Sequence, residues 1–322
     1  MNFEWTEVQR AWREKGKALA RELPEDAAAA DVVMGAARVG IIDPEVDLLA
    51  AALAVEALAG ESPAAGMTLA LHTTTLKAHL SQGSLIDSLA RGETVGALVL
   101  SSDDVPTMED GRLNGRASWV GPITERGVAV IGARQGAQVV ACGVVLDDQR
   151  VHVSEVKTSA LHGFVWAYLA LSGAPCVAAG ETTSIMARAR TLIASVALGI
   201  CNRALRESLA VVRREHGAGG EQTVQGLLAD TATELEAARM LTWKAAASGD
   251  DASLAEASQA KLAATSAAQA AVVRATQVVG VDSFRRGHVI ERLTQDVRAI
   301  ELFAGRTETL REAVAEAELP HV

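Results

Sequence analysis

The chain has 322 residues, a formal net charge of −10 at pH 7 and 49 % hydrophobic residues, while only 3 % of all residues are aromatic. This length exceeds what one hydrophobic core usually serves, so we expect two or three domains that pack as one body. The acidic balance argues against nucleic acid or an anionic membrane surface as a partner, because both are bound through a surplus of Lys and Arg.

Cysteine usage and the first residues indicate the compartment. Cys142, Cys176 and Cys201 are widely spaced and odd in number, which fits a reducing environment and neither a disulfide framework nor a metal site. The chain is charged from Glu4 onward and lacks the apolar segment of a signal peptide. No apolar run is expected to reach membrane-spanning length. The sequence therefore predicts a soluble cytoplasmic protein without membrane insertion.

Residues 1–93 are predicted to form an N-terminal helical domain. A helix over 4–23 is followed by a turn at 24–26 and by a second helical segment that ends near Pro44. Residues 45–60 then place apolar side chains on one broad face at helical spacing. Two shorter helices are expected before the pattern changes.

Residues 94–182 are predicted to form a middle β domain. The runs TVGALVLSS, GVAVIGAR and AQVVACGVVL are short and rich in β-branched residues, and Gly, Asn and Asp residues separate them. This pattern is typical of strands joined by tight turns. We therefore expect a small β-sandwich or barrel.

Residues 183–322 are predicted to form a C-terminal antiparallel four-helix bundle. Four long helical patterns follow one another with short connections, and small alanine side chains allow close helix packing. Asp251 or Ser253 is a candidate N-cap of the third helix. The last pattern, over 291–319, contains a short loop around Ala304. The fold class is thus α+β, in the order helical domain, β domain, helical bundle.

The sequence contains none of the common short motifs for nucleotide binding, metal binding or catalysis that we considered. The sequence has no dinucleotide-binding glycine motif after a strand, no phosphate-binding P-loop, and no Cys or His pairs at metal-ligand spacing. No metal site is therefore predicted. His72 lies in an apolar helical pattern, which favours a packing histidine over a catalytic one.

Several longer sequence segments, taken in chain order, resemble those of a known protein family. The segments that support it are LIDSLARGETVGALVLSS, LNGRASWVGPITERGVAVIGAR, ALGICNRALRES, ASQAKLAATSAAQAAVVRATQVVG and ERLTQDVRAIELFAGRTETLREAVAEAEL. In this order the chain resembles the acyl-CoA dehydrogenase family over nearly its whole length. The resemblance implies FAD as cofactor, an acyl-CoA or other acyl thioester as substrate, and a homo- or hetero-oligomer, a dimer or tetramer formed through the helical bundle.

The family's chemistry requires a proton acceptor. A glutamate removes the α-proton of the acyl-CoA while the flavin accepts the β-hydride. The usual glutamate position corresponds to Ala304, and the alternative position on the first bundle helix corresponds to Ala189. An alanine methyl group cannot accept a proton, so ordinary dehydrogenation is not expected. Glu301, three residues before Ala304, is the remaining candidate base.

Several positions match the family's ligand-contacting residues. Trp119, Gln277, Gly280 and Glu308 match cofactor-contacting positions, and Arg190 is a candidate for the acyl-CoA phosphates. Each has a structural alternative. The tryptophan could fill the gap between sheet and bundle, Gln277 and Gly280 could end a helix, and the arginine could lie on the bundle surface.

Three further expectations concern the surroundings of the site. The family's glycine-rich flavin turn corresponds to residues 100–106, which contain no glycine, and its pyrophosphate-contacting segment is shortened to residues 213–221. Glycine allows a backbone to approach a cofactor closely, so its absence from residues 100–106 predicts a reduced flavin site. The shortened segment retains no aromatic residue, which predicts the same. Asp296 and Arg298 are expected to hold the loop through a salt bridge.

Two functional hypotheses follow from the resemblance. The chain is either an acyl-CoA dehydrogenase-like oxidoreductase with atypical or impaired base chemistry, or a non-catalytic subunit that completes a site together with a full-length paralogue. The absorption spectrum of the purified protein, alone and with a paralogue, separates the two.

Overall fold

The computed structural model describes residues 4–78, 81–100, 104–214 and 221–319. The N-terminal helices are α1 (Glu7–Glu22), α2 (Ala29–Val39), α3 (Leu48–Ala59), α4 (Pro63–Leu76) and α5 (Gly83–Ala90). The strands are β1 (Val95–Val99), β2 (Thr107–Glu109), β3 (Arg112–Val120), β4 (Gly127–Gln135), β5 (Gln138–Val145), β6 (Val151–Val156) and β7 (Trp166–Ala178). The C-terminal helices are α6 (Thr182–Arg214), α7 (Gln222–Ala247), α8 (Leu254–Val279), α9 (Val289–Leu302) and α10 (Thr307–Glu318).

Side-chain caps start the N-terminal helices where the sequence changes from polar to apolar. Thr6 and Gln9 form a reciprocal capping box at the start of α1. Asp47 accepts the backbone N–H of Ala50 at the start of α3, and Ser62 caps α4 just before its first residue, a proline. Helix α4 is buried along its whole length because α2, α3, α6 and β1 surround it.

His72 joins α4 to the first strand. Its side chain is fully buried, and Nδ1 accepts the backbone N–H of Gly96 over 3.0 Å. Residue 96 has no room for a side chain, since a Cβ there would lie 2.7 Å from Thr75 Cβ. Burial lowers the pKa of His72 to about 4, so the imidazole is neutral at physiological pH. These contacts place His72 in a packing position.

The strands form a closed barrel. In the described residues, β4, β2, β3, β7 and β5 pair in a ring that returns to β4, while β1 lies parallel to β4 and β6 pairs with β7. Small and branched side chains such as Ala117, Ile131 and Leu169 fill the interior. The predicted fold class, with a small β domain between two helical regions, is confirmed.

The C-terminal helices pack around α6. Helix α8 starts with a capping box between Ser253 and Glu256, so Ser253 rather than Asp251 is its N-cap. Helix α8 packs along α6 and also contacts α7, α9 and α10. The loop of residues 303–306, between α9 and α10, thereby lies beside α8 and close to the barrel.

Helix α6 contradicts the expectation that no apolar segment reaches membrane-spanning length. Within the described residues it is the one helix whose length and composition would suffice to cross a membrane. However, 94 % of its most apolar window is buried inside the protein, where α6 packs against α3, α4 and α8. Its apolar character therefore reflects its position as the central core helix.

Candidate functional site

An open cleft of about 1150 Å³ lies between the barrel and the loop that joins α9 to α10. The barrel contributes Val99, Asp104, Arg116, Ser118, Trp119, His152, Ser154, Thr158, Ala160, Trp166, Tyr168, Leu169 and Ala170 to its lining. The helical side contributes Ala299, Leu302, Phe303, Ala304, Gly305, Arg306 and Thr309. The volume is sufficient for a large organic ligand.

Aromatic rings are concentrated at this cleft. Ring centroids of Trp119 lie 6.2 Å from Trp166 and 5.7 Å from Tyr168, both in edge-to-face geometry. Trp166 also packs against Phe164 at 4.6 Å and against Phe303 at 4.9 Å. In a chain this poor in aromatic residues, the cluster connects the barrel directly to the α9–α10 loop. Sequence analysis identified only the first of these tryptophans, because the other contacts arise from tertiary packing.

Trp119 has a strained backbone at the cleft. Its φ is +61°, which bulky side chains rarely adopt, and it lies where the register between β3 and β7 shifts after Ala117. Its side chain remains 46 % exposed even though it is a large apolar group. Strain combined with an exposed aromatic surface is typical of a ligand-contacting position.

The α9–α10 loop rests on a buried arginine. Arg190 in α6 is only 4 % exposed, and its Nε donates to the carbonyl of Ala304 over 3.0 Å while Nη1 donates to Ser258 Oγ over 2.7 Å. Ala304 has φ +55° and Gly305 has φ +113°. A Cβ at Gly305 would lie 2.9 Å from Arg190 Nη2, so both the conformation and the space favour glycine there.

A buried lysine supports the same loop from α8. Lys261 is fully buried, and its Nζ donates to the carbonyls of Glu301 over 3.0 Å and Gly305 over 2.5 Å. Burial, reinforced by the charge of Arg190, lowers the pKa of Lys261 to about 7. Sequence analysis missed this residue. The available signal was a lone lysine on the alanine-rich face of a helix.

The carboxylate of Glu301 accepts hydrogen bonds only from residues that do not line the cleft, among the described residues. One carboxylate oxygen accepts hydrogen bonds from Gln269 over 2.6 Å and Arg298 over 3.1 Å, and the other accepts from Thr307 over 2.9 Å. Partial burial raises the pKa of Glu301, but these hydrogen bonds outweigh it and the pKa is lowered. A stabilised carboxylate is a weaker proton acceptor.

The other candidates lie in different places. Ala189 is buried within α6, and Glu308 is exposed in the first turn of α10, 3.8 Å from Arg306. Gln277 and Gly280 are exposed at the end of α8 and do not line the cleft. Of the residues matched to cofactor contacts, only Trp119 lines it. Within the described residues no group of three or more His, Cys, Asp or Glu could hold a metal ion.

Asp296 and Arg298 do not form the expected salt bridge. Asp296 Oδ1 accepts the backbone N–H of Leu161 over 2.6 Å, while Arg298 pairs with Glu301. Asp296 therefore joins α9 to the barrel instead of holding the loop. Burial raises the pKa of Asp296 to about 6, although the hydrogen bond from Leu161 and the nearby His162 oppose that shift.

Parts of the two predicted departures near the flavin lie outside the described residues. These parts are 101–103, in the glycine-free turn, and 215–220, in the shortened segment. A reduced flavin site at these positions stays a prediction.

Comparison with known proteins relates the C-terminal part of the chain to a protein family. Residues 181–319 match the model of the acyl-CoA dehydrogenase C-terminal domain. In this part of its sequence the chain is similar to the acyl-CoA dehydrogenase family. It is 39 % identical to 3-sulfinopropanoyl-CoA desulfinase of Paraburkholderia xenovorans over 38 % of this chain and 33 % of that protein. It is 35 % identical to the mitochondrial short-chain specific acyl-CoA dehydrogenase of Bos taurus over 38 % of this chain and 31 % of that protein. The matched segments thus span about a third of these relatives.

Solved structures extend the likeness to the whole chain. Butyryl-CoA dehydrogenase from Megasphaera elsdenii superposes with a TM-score of 0.87 at 18 % identity, covering 99 % of this chain and all of the other. A glutaryl-CoA dehydrogenase in complex with glutaryl-CoA gives 0.88 at 17 % identity, covering 99 % and 96 %. The chain therefore has the full-length acyl-CoA dehydrogenase fold. PigA, solved as an FAD complex, gives a TM-score of 0.86 at 17 % identity, covering 99 % of this chain and 99 % of the other.

Replacing Asp296 by Asn tests the buried contact between α9 and the barrel. Because the folded pKa of about 6 exceeds the unfolded value of 3.8, stability falls as pH rises from 3.8 to 6, and the full cost of the charge is present above pH 6. Asn keeps an oxygen for the Leu161 N–H but carries no charge.

We expect Asp296→Asn to raise the free energy of unfolding by about 1–3 kcal/mol at pH 7.5 and by much less near pH 4. Urea unfolding at both pH values measures this, with exposed Glu308→Gln as the control. Equal effects of Asp296→Asn at the two pH values would contradict the prediction.

Proposed function

We propose that the chain is an acyl-CoA dehydrogenase-like oxidoreductase that binds FAD and an acyl thioester in the cleft, with atypical or impaired base chemistry. The observation that carries this proposal is Trp119, which presents a half-exposed ring to the cleft from a strained backbone. The fold supports a flavin and an acyl thioester as the ligands.

The residues of the cleft fit a flavin. Trp119 and Tyr168 offer aromatic edges and faces, Arg116 offers a positive charge, and Ser118 and Thr309 offer hydroxyl groups. FAD, when bound, supplies the hydride acceptor for oxidation of the acyl group. The protein's own contribution is to hold the ring system, exclude water from it and orient the substrate.

Proton transfer is the step for which the chain is poorly equipped. Ala304 lines the cleft at the position matched to the family's glutamate, and its methyl group cannot accept a proton. Among the described lining residues, the proton acceptors are Asp104 and His152, and both are exposed on the barrel side. Asp104 accepts a hydrogen bond from Ser118. An exposed acceptor lacks the dry surroundings that raise the pKa of a catalytic carboxyl group.

One surface favours the alternative of a non-catalytic subunit. Gln277 and Gly280 match cofactor-contacting positions but are exposed outside this chain's own cleft. Beside them, Val273 is 60 %, Val281 84 % and Phe284 73 % exposed. Exposed apolar groups of this kind are typical of protein interfaces. In an assembly, this end of α8 would contact a cofactor in a neighbouring subunit.

Trp119→Ala tests the flavin site. Loss of the aromatic surface is expected to weaken FAD binding roughly two- to tenfold, because an aromatic contact contributes about 0.5–1.5 kcal/mol. The measurement is a titration of the apoprotein that follows flavin fluorescence and the absorption band near ~450 nm of a bound flavin. Trp5→Ala, which removes a tryptophan packed on Trp243 away from the cleft, is expected to bind FAD normally. A wild-type protein that binds no FAD would overturn the proposal for the isolated chain.

Ala304→Glu tests the missing base. We expect it to raise turnover of a short-chain acyl-CoA, measured with an artificial electron acceptor, by about a hundredfold or more, since a positioned general base contributes that much. Ala304→Gln has a side chain of matching size without a base and is expected to leave turnover at the level of the unaltered chain. If both variants behave alike, Ala304 does not occupy the base position.

Co-expression with a full-length paralogue tests the alternative. A stable mixed oligomer whose flavin content exceeds that of either chain alone is expected for a non-catalytic subunit. Phe284→Asp should then abolish the mixed assembly, whereas exposed Leu319→Asp should not. Recovery of homo-oligomers only would exclude this role.

A further inference from the structure

The α9–α10 loop is attached on its inner side by two buried cations. Arg190 and Lys261 together donate to the carbonyls of Glu301, Ala304 and Gly305. Neither side chain forms an ion pair within 4.0 Å among the described residues, and Arg190 donates one further hydrogen bond to the Ser258 hydroxyl. The two side chains thus interact mainly with backbone dipoles.

This arrangement is costly, because a buried charge without a carboxylate partner loses much of its hydration energy. Because burial disfavours the charged form, it lowers the pKa of Lys261. A metal or ligand does not explain the pair, since both side chains point at loop carbonyls. What the pair does is fix the direction of three carbonyl groups, those of Glu301, Ala304 and Gly305, on one side of the loop.

The outer side of the loop has a different attachment. The Phe303 ring packs 4.9 Å from Trp166 on the barrel. Ala304 lies between this aromatic contact and the cations, with φ +55°, and its side chain lines the cleft. A left-handed backbone at a residue other than glycine persists only where its surroundings determine it.

We propose that Lys261, together with Arg190, is a positioning residue that holds the backbone of residue 304 at the cleft wall and so directs the side chain at that position toward the acyl thioester. The loop-holding part stands on the contacts alone. The reference to a thioester rests on the proposed function. Arg190 then acts from beneath the loop and does not contact substrate phosphates.

Amide hydrogen exchange of the ligand-free chain tests the loop-holding part. Lys261→Met removes both donated hydrogen bonds at similar side-chain length. We expect exchange across residues 303–307 to become about tenfold faster or more, because a hydrogen bond to a charged group contributes at least that factor. Thr242→Val removes a buried hydroxyl that bonds only within α7 and is expected to leave the loop unchanged.

A second variant keeps the test decisive if Lys261→Met fails to fold. Gly305→Ala would place a Cβ 2.9 Å from Arg190 Nη2 in a strained conformation, so the loop should again exchange about tenfold faster. Unchanged exchange in every folded variant of this pair would overturn the proposal.

The functional part is tested in the Ala304→Glu background. Adding Lys261→Met is expected to lower kcat about tenfold or more with little change in KM, because misplacement of a catalytic group weakens the reaction step more than binding. A merely structural role would not separate kcat from KM. If Ala304→Glu is inactive while Lys261→Met still loosens the loop, the proposed function fails and the positioning role of Lys261 stands. Equal loss in kcat and rise in KM would overturn the functional part.

Discussion

The site depends on how the loop between α9 and α10 is held. Its carbonyls accept hydrogen bonds from Arg190 and Lys261 on the inner side, and the Phe303 ring packs on Trp166 on the outer side. Each attachment comes from a different part of the chain: α6, α8 and the barrel. The position of residue 304 therefore depends on the correct packing of the bundle against the barrel, since no local interaction alone would hold an alanine in a left-handed conformation.

The packing of the core explains how α6, α8 and the barrel are held in fixed positions relative to one another. Helix α6 is enclosed by α3, α4 and α8, and its small side chains let these helices approach closely. His72 extends this packing to the barrel through its hydrogen bond with Gly96, and Asp296 adds a contact between α9 and Leu161. Among the described residues, four of the five ring contacts lie where barrel and loop meet, and the fifth joins Trp5 to Trp243.

The sequence was sufficient for the elements and insufficient for the contacts between them. Helical periodicity located the bundle helices because it is a local signal. The N-cap of α8 was narrowed to Asp251 or Ser253, and the structure assigns it to Ser253. The salt bridge expected between Asp296 and Arg298 was wrong because residues two apart on a helix do not face each other. Lys261 escaped notice since a lysine is almost never fully buried. The barrel closure and the aromatic cluster depend on pairings far apart in sequence, which no local pattern contains.

The way the loop is held is compatible with both proposed roles, an oxidoreductase and a non-catalytic subunit. The contacts with Arg190 and Lys261 involve backbone carbonyls, so they do not depend on which side chain occupies position 304. The left-handed backbone there costs an alanine or a glutamate a similar amount, roughly 1–2 kcal/mol. Exchange of one for the other therefore changes the chemistry offered to the cleft and leaves the loop conformation nearly as stable as before. A loop held through its backbone in this way can change the side chain at position 304 without changing its own conformation.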